Sequence, residues 1–366
     1  MQRSGLLRKR LGSNGTQSES AVLVTGGAGF IGTNVADRLA SDGRRVVVLD
    51  NLSRAGVDQN ALWLQRRHGG RVKVIVGDIR DREIVRRALD GVSHVFHLAA
   101  QVAVTTSLED PRTDFEINTT GTLNLLDEIR AMREPASLIY TSTNKVYGAL
   151  SDIALEAHDK RYVPVDDRIA RSGINENRPL DFHTPYGCSK GAAEQYVLDH
   201  ARTLGLRALV FRMSCIYGPR QFGTEDQGWV AHFLIRALDQ RPITLYGDGL
   251  QVRDILFVED LVDAFMLAWR DIDRLSGSAF NIGGSADRAI SLLELIDLIT
   301  DVHAIRPKVI FEKSRAGDQR YYVSDISKFR DATGWSPRVT ARAGIRRLHE
   351  WLLEDRGVAT AEIVAS

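Results

Sequence analysis

Short apolar runs rich in β-branched residues recur at 21–25, 45–49, 72–76, 93–98 and 136–141. Between and after them, the segments up to about 40, 81–90 and 112–132 carry apolar residues at helical spacing. Runs that are apolar throughout suit strands buried on both faces, and their alternation with helices predicts an α/β class: a doubly wound parallel sheet covered by helices on both sides, with any ligand beyond the carboxyl ends of the strands. The pattern continues with a helix at 185–204 and a sixth strand at 207–211. Strict alternation is then lost. A helix near 227–240, a strand–loop at 243–257, a helix at 258–270, a strand at 278–282, a helix at 290–302, a strand at 307–311 and two terminal helices follow. This predicts a first domain over 21–212 with a returning segment at about 241–270, and a smaller interleaved α/β domain from 213–240 and 271–366. Residues 149–183 read as an irregular surface excursion or lid, and 1–20, basic and then rich in Gly, Ser, Asn, Thr and Gln, as a disordered tail without the apolar centre of a signal peptide.

Composition narrows the function classes. Forty-eight basic residues balance 47 acidic ones for a net charge of +1, so no global field attracts nucleic acid or an anionic membrane, and small anions must be held locally. No apolar run approaches the roughly 18 residues needed to span a bilayer. The two cysteines, Cys188 and Cys215, form no disulfide framework or Cys-rich metal site, which suits a cytoplasmic protein. No His/Cys/Asp/Glu spacing resembles a metal site, and His97, inside a strand, reads as a packed core histidine.

Two stretches carry chemistry. The first strand runs into a turn with Gly26, Gly29, Phe30, Ile31 and Gly32, then a helix; glycines at these positions permit a tight turn, close approach of backbone to a pyrophosphate, and N–H donors from the helix start. Asp50 ends the second strand, 18 residues beyond Gly32, where a carboxylate would bond an adenosine ribose and repel a 2′-phosphate, favouring NAD over NADP. Arg54 keeps the alternative open. Asp78 with Ile79, and Leu98 with Ala99, Ala100 and Gln101, follow the third and fourth strands, where small residues let a cofactor lie against the sheet. The second stretch is Thr184-Pro185-Tyr186-Gly187-Cys188-Ser189-Lys190: a phenol and an amine one helical turn apart, in which a Lys ammonium can stabilise the phenolate and make a general acid/base. The fifth strand ends in Ser142 and Thr143, hydroxyls able to donate to a carbonyl or alkoxide oxygen.

Gly26 to Gly32, Tyr147-Gly148, and Tyr186 with Lys190 together resemble the extended short-chain dehydrogenase/reductase family, over about 21–355. Within it, Asp50-Asn51-Leu52-Ser53-Arg54, Ser142-Thr143-Asn144-Lys145, Arg220-Gln221-Phe222 and Asp318-Gln319-Arg320 are similar to nucleotide-sugar 2-epimerases of the CDP-paratose/CDP-tyvelose type. The resemblance implies a Rossmann domain holding one NAD, contacted also by Asn51, Ser53 and Asn118, and an epimerase that oxidises C2 of a nucleotide-diphosphate sugar and returns the hydride to the other face. It implies Thr143, Tyr186 and Lys190 as catalytic residues. On the substrate side it implies Thr143 on the reacting oxygen, Arg253 and Arg315 on the phosphates and Asp318 near the nucleotide ribose, with Arg220 and Gln227 in the same cleft; His183 faces the ligand or merely precedes the helix. Cys215 stands where many relatives carry a phosphate-binding Asn.

Relatives that dehydrate such sugars place an acid directly after this Ser/Thr, and here it is Asn144-Lys145, so dehydration is disfavoured. A UDP-sugar 4-epimerase is the other enzyme reading, and a non-enzymatic NAD sensor is disfavoured by the Tyr–Lys pair. Relatives pair through two long helices, here 112–132 and 185–204, which implies a homodimer and allows a tetramer.

Overall fold

The computed structural model describes residues 20–315 and 317–357, so the expected tail, apart from Ser20, lies outside the described residues. The early apolar runs form β1 (Ala21–Thr25), β2 (Val46–Asp50), β3 (Val72–Val76), β4 (Val92–His97) and β5 (Ser137–Thr143). A hairpin of β6 (Leu155–His158) and β7 (Arg161–Pro164) precedes β8 (Ala208–Met213). There follow β9 (Cys215–Tyr217), β10 (Ile243–Tyr246), β11 (Val252–Phe257), β12 (Ala279–Ile282), β13 (Ala289–Ser291), β14 (Val309–Glu312) and β15 (Tyr321–Tyr322).

Seven strands make one parallel sheet in the order β12-β8-β5-β4-β1-β2-β3. Successive side chains of a strand leave opposite faces, and the cores divide accordingly. Val22, Val24, Val46, Val48, Phe96, Ile139 and Phe211 pack with helices α1 (Phe30–Ser41) and α2 (Val57–His68) and with the helix Val258–Arg270. Leu23, Leu49, Val95, Leu138 and Val210 pack on the other side with Arg82–Ala88, Gly121–Ala131 and Thr184–Leu204. The chain winds from β1 to β2 and β3 in one direction, then crosses to β4 and proceeds to β5, β8 and β12 in the other. The crevice at the carboxyl ends of β1 and β4 is therefore the switch point where such a sheet takes its ligand.

The C-terminal part differs from the sequence reading in two respects. Strand β12 is an edge of the large sheet rather than part of the smaller unit, because Phe280 and Ile282 complete the core that holds Phe211 and Phe265. Strand β10, expected in the returning segment from 241, pairs instead with β14, and Ile243 and Leu245 join Leu234, Leu295, Ile299 and Leu348 in a third core under the helices Trp229–Leu238, Leu292–His303 and Ala341–Asp355. The chain comes back to the first unit over 258–282 and again at Phe329 and Trp335.

The segment 149–183 is also more ordered than its composition predicts. Its hairpin is tied to the C-terminal unit by a two-pronged Arg161–Glu294 contact and by the Tyr162 N–H to Leu250 O, 3.0 Å.

The turn after β1 depends on Gly32. A Cβ there would lie 2.2 Å from Gly26 O and 2.6 Å from Gly27 Cα, both backbone atoms. Gly32→Ala is expected to lower stability by about 2 kcal/mol or more, read as a depressed Tm, and to abolish dinucleotide retention. Gly70→Ala, whose Cβ meets nothing within 4 Å, is the control and leaves both unchanged.

Candidate active site

The strand ends converge on a cleft of about 520 Å³ that begins at the turn after β1 and ends at Tyr186 and Lys190. Gly26 takes φ +64, and a Cβ on it would come within 2.7 Å of the Ala99 nitrogen, so only glycine lets β1 and β4 close the cleft floor. Helix α1 starts at Gly29 with no side-chain cap and no acidic residue in its first turn, which leaves its free N–H groups for an external anion. Asp50 at the end of β2 accepts from the N–H of Ala28 at 3.1 Å and of Leu52 at 2.9 Å, fixing its carboxylate on the cleft wall. Asp78 is drawn down to about 2 by hydrogen bonds from Arg80, and also accepts from Asn51 at 3.2 Å.

The expected cofactor residues Gly26, Gly29, Phe30, Ile31, Gly32, Asp50, Asn51, Ser53, Arg54, Asp78, Ile79, Leu98, Ala99, Ala100, Gln101 and Ser142 all line this one cleft, with Thr143, Tyr186 and Lys190. Asn118 lies behind it. Its amide accepts from Gln101 N at 2.9 Å and donates to Gln101 O, Asp114 and Ser189, so it shapes the strand-end loop instead of meeting the cleft. The helical stretch around it is a π-turn, Glu116–Thr120, where the Thr122 hydroxyl takes the Asn118 carbonyl at 2.6 Å. Asp114 was not singled out in the sequence, and Ser189 figures there only as part of the Tyr186–Lys190 stretch; Ser189 donates to Asp114, whose one signal was its place four before Asn118.

Electrostatics at the chemical end are dominated by burial. Burial pushes the Tyr186 phenol up to about 12, with Thr143 and the Arg54 charge pulling the other way. Burial likewise pushes Lys190 down to about 7, opposed by Asp114 and Glu194. The Lys190 ammonium lies 4.3 Å from the centre of the Tyr140 ring, a cation–π contact. The sequence reading, in which Lys190 itself lowers the phenol, thus underrates desolvation. His97 is a structural bridge: buried between Thr25 at 2.7 Å and Thr122 at 2.9 Å, it is pushed down to about 3 and stays neutral.

Of the expected substrate-side residues only Thr143 and Gln227 line this cleft; Arg253, Arg315 and Asp318 form a separate group outside its lining. Arg253 donates to Asp318 at 2.7 Å and to Gln319 O. Arg315 stacks 3.7 Å from the Tyr246 ring centre and pairs with Glu225 at 2.8 Å. Gln227 lines the cleft and accepts from Arg54 at 2.9 Å. Cys215 accepts from the Trp229 indole at 3.3 Å, and burial pushes its thiol up. Two expected contacts fall elsewhere. Arg220 is held 3.8 Å over Trp63 with Trp351 beyond it, and its backbone carbonyl accepts from Asn60, so this cation caps an aromatic surface of the outer helices and does not reach the cleft. His183 is exposed and pairs with Asp181 at 3.2 Å, as a loop residue before the helix.

Among the described residues no His/Cys/Asp/Glu group is arranged to hold a metal, and no helix is long and apolar enough to cross a membrane. The NAD dependent epimerase/dehydratase family matches residues 22–283. CDP-paratose 2-epimerase of Salmonella typhi is 44% identical over 337 residues, covering 90% of this chain and 98% of that protein. A putative UDP-glucose 4-epimerase of Methanocaldococcus jannaschii is 31% identical over 334 residues, covering 90% and 98%. Among solved structures, the Thermus thermophilus UDP-glucose 4-epimerase complex with NAD superposes with a TM-score of 0.75 at 33% identity, covering 93% of this chain and all of that one. With its glycine turn, carboxylate-ended β2 and Tyr–Lys helix around one cleft, the chain belongs to the NAD dependent epimerase/dehydratase family, the extended short-chain dehydrogenase/reductase group.

Proposed function

We propose that the protein inverts C2 of a nucleotide-diphosphate sugar, a CDP-linked deoxysugar of the paratose/tyvelose type. The observation that carries this reading is the tip of β5: Thr143 sits against the Tyr186 phenol, and the next two residues are Asn144 and Lys145 rather than carboxylic acids. An acid is what elimination of a sugar hydroxyl requires, and an amide and an ammonium do not supply one. The similarity to CDP-paratose 2-epimerase supports C2 and a cytidine nucleotide.

A carbon bearing only a hydroxyl has no acidic C–H, so inversion needs transient oxidation to a planar ketone. Bound NAD supplies the hydride acceptor and a ring cation, and the uncapped start of α1, the Asp50 carboxylate and the small residues after β4 fit such a dinucleotide. Tyr186 takes the hydroxyl proton as the sugar is oxidised and returns it on reduction. Its phenol, raised by burial, is brought toward ionisation by the charge of Arg54 and the hydroxyl of Thr143. Thr143 holds the reacting oxygen, and Lys190, fixed over Tyr140, anchors the sugar-facing end of the dinucleotide. Arg253, Arg315 and Asp318 hold the nucleotide diphosphate. The helices 111–131 and 184–204 carry the exposed Phe115 and Tyr196, which suit a homodimer formed through them in the cytoplasm.

With CDP-sugars in deuterium oxide, NMR is expected to show inverted configuration at C2 with no solvent deuterium bound there, because the hydrogen taken from C2 would be returned to it without exchanging with solvent; inversion confined to C4 would overturn the assignment. Tyr186→Phe is expected to cut turnover by roughly 100-fold or more while the purified protein still releases NAD on denaturation. Full turnover in that variant would sink Tyr186 as the acid/base.

A further inference from the structure

Lys145 is not used by the reaction as described above, yet it stands two residues beyond Thr143, on the turn Asn144–Tyr147 that leaves the catalytic strand. Its ammonium donates to Gly317 O at 3.1 Å, a neutral carbonyl. That leaves further N–H donors for another acceptor. Gly317 directly precedes Asp318, whose carboxylate is engaged by Arg253 at 2.7 Å. Lys145 and Arg253 act on each other as like charges, with Asp318 the opposing charge and the Cys215 thiol beside them. Two cations against one already paired carboxylate leave one positive charge behind the cleft wall, where Thr143 lies two residues before Lys145, and Ser214 and Ile216 flank Cys215. Burial pushes Lys145 down to about 8, with Arg253 adding to the effect and Asp318 opposing it. The side chain is therefore poised between its charged and neutral forms near physiological pH.

We propose that Lys145 is a positioning residue that holds the anionic diphosphate of the substrate with Arg253, and that substrate binding is coupled to protonation of this amine. The inference rests on the nucleotide-diphosphate sugar reading. Its chemistry is simple: a dianion a few ångströms away favours the ammonium, so the pKa of Lys145 rises on binding, and the complex takes up a proton wherever the free protein holds the amine partly neutral. The sign follows. Below about pH 7 the amine is already charged and binding takes up little; near pH 8 uptake is about half a proton; above that the affinity falls, because protonating the amine becomes costlier.

The test is calorimetric titration of the NAD-loaded protein with CDP at pH 8 in two buffers of different ionisation enthalpy, for the parent protein, Lys145→Met and Lys145→Arg. The parent should bind with proton uptake. Lys145→Met should bind roughly 10- to 100-fold more weakly without uptake, and Lys145→Arg, permanently charged, should recover much of the affinity while still taking up no proton. In turnover with CDP-sugar, Lys145→Met should raise KM by a similar factor and lower kcat far less. Parent-like CDP affinity or persistent uptake in Lys145→Met would overturn the role of Lys145 while leaving the epimerase reading intact; failure of the parent protein to bind CDP would overturn both. Gel filtration and a thermal melt of each variant separate these outcomes from misfolding.

Discussion

The arrangement around the active site depends on a buried ion pair, Arg212 with Glu194, at 2.6 Å and almost wholly removed from solvent. Burial works against the Arg212 charge, and the Glu194 carboxylate outweighs it, leaving the guanidinium more firmly protonated than usual. Neither charge tolerates loss of the other, since an unpaired ion in this setting costs several kcal/mol. The pair is also a junction. Glu194 accepts from Ser142 on β5 at 2.6 Å, and Arg212 on β8 donates to Tyr147 at 2.8 Å, which in turn donates to Asn281 on β12 at 2.8 Å. Three strands and the helix that carries Tyr186 and Lys190 are therefore locked in one register. The ends of the chain segments that do chemistry sit where they do because this polar chain has a single fully satisfied arrangement.

The same carboxylate reaches the chemistry. Glu194 lies one helical turn beyond Lys190 and, with Asp114, opposes the burial that otherwise strips the amine of its charge. Asp114 is itself raised by burial and steadied by Ser189 and Lys190. A dry pocket amplifies every charge in it. Tyr186 and Lys190 are thus shifted in opposite directions by one cause, desolvation, so the phenol is held protonated and the amine held weakly basic until a cation and a ligand alter the balance. A protein that buried the pair less would have a more ordinary phenol, and a less responsive one.

What the sequence disclosed was what is local in the chain. The glycine turn, Asp50 at the end of β2, and the Tyr186–Lys190 spacing depend on residues a few positions apart, and helical or strand periodicity places them without tertiary knowledge. The seven-stranded sheet was legible up to β8 for the same reason. Beyond it, β12 and β10 are short runs of the same length, and what sets them apart is the partner strand: β8 for one, β14 for the other. Arg220 shows the same limit in a side chain. Its neighbours in sequence suggest an anion contact, whereas its neighbours in space are Trp63 and Trp351, 157 positions before and 131 positions after it. The Asp114–Ser189 contact escaped notice because it exists only across 75 residues of chain.

The fold itself does not choose the reaction. Related proteins of this family are described as 2-epimerases, 4-epimerases and dehydratases on nucleotide sugars, so the discriminating chemistry must lie in a few side chains presented at one strand end. Here that end is clamped to the C-terminal unit by two short bridges, Lys145 to Gly317 O at 3.1 Å and Gln319 to Gly148 O at 2.6 Å. The segment 317–319 also carries Asp318, the partner of Arg253. The turn after Thr143 and the loop that carries Asp318 are consequently one structural piece. Changing the residues after Thr143 would therefore also disturb the loop that pairs Asp318 with Arg253.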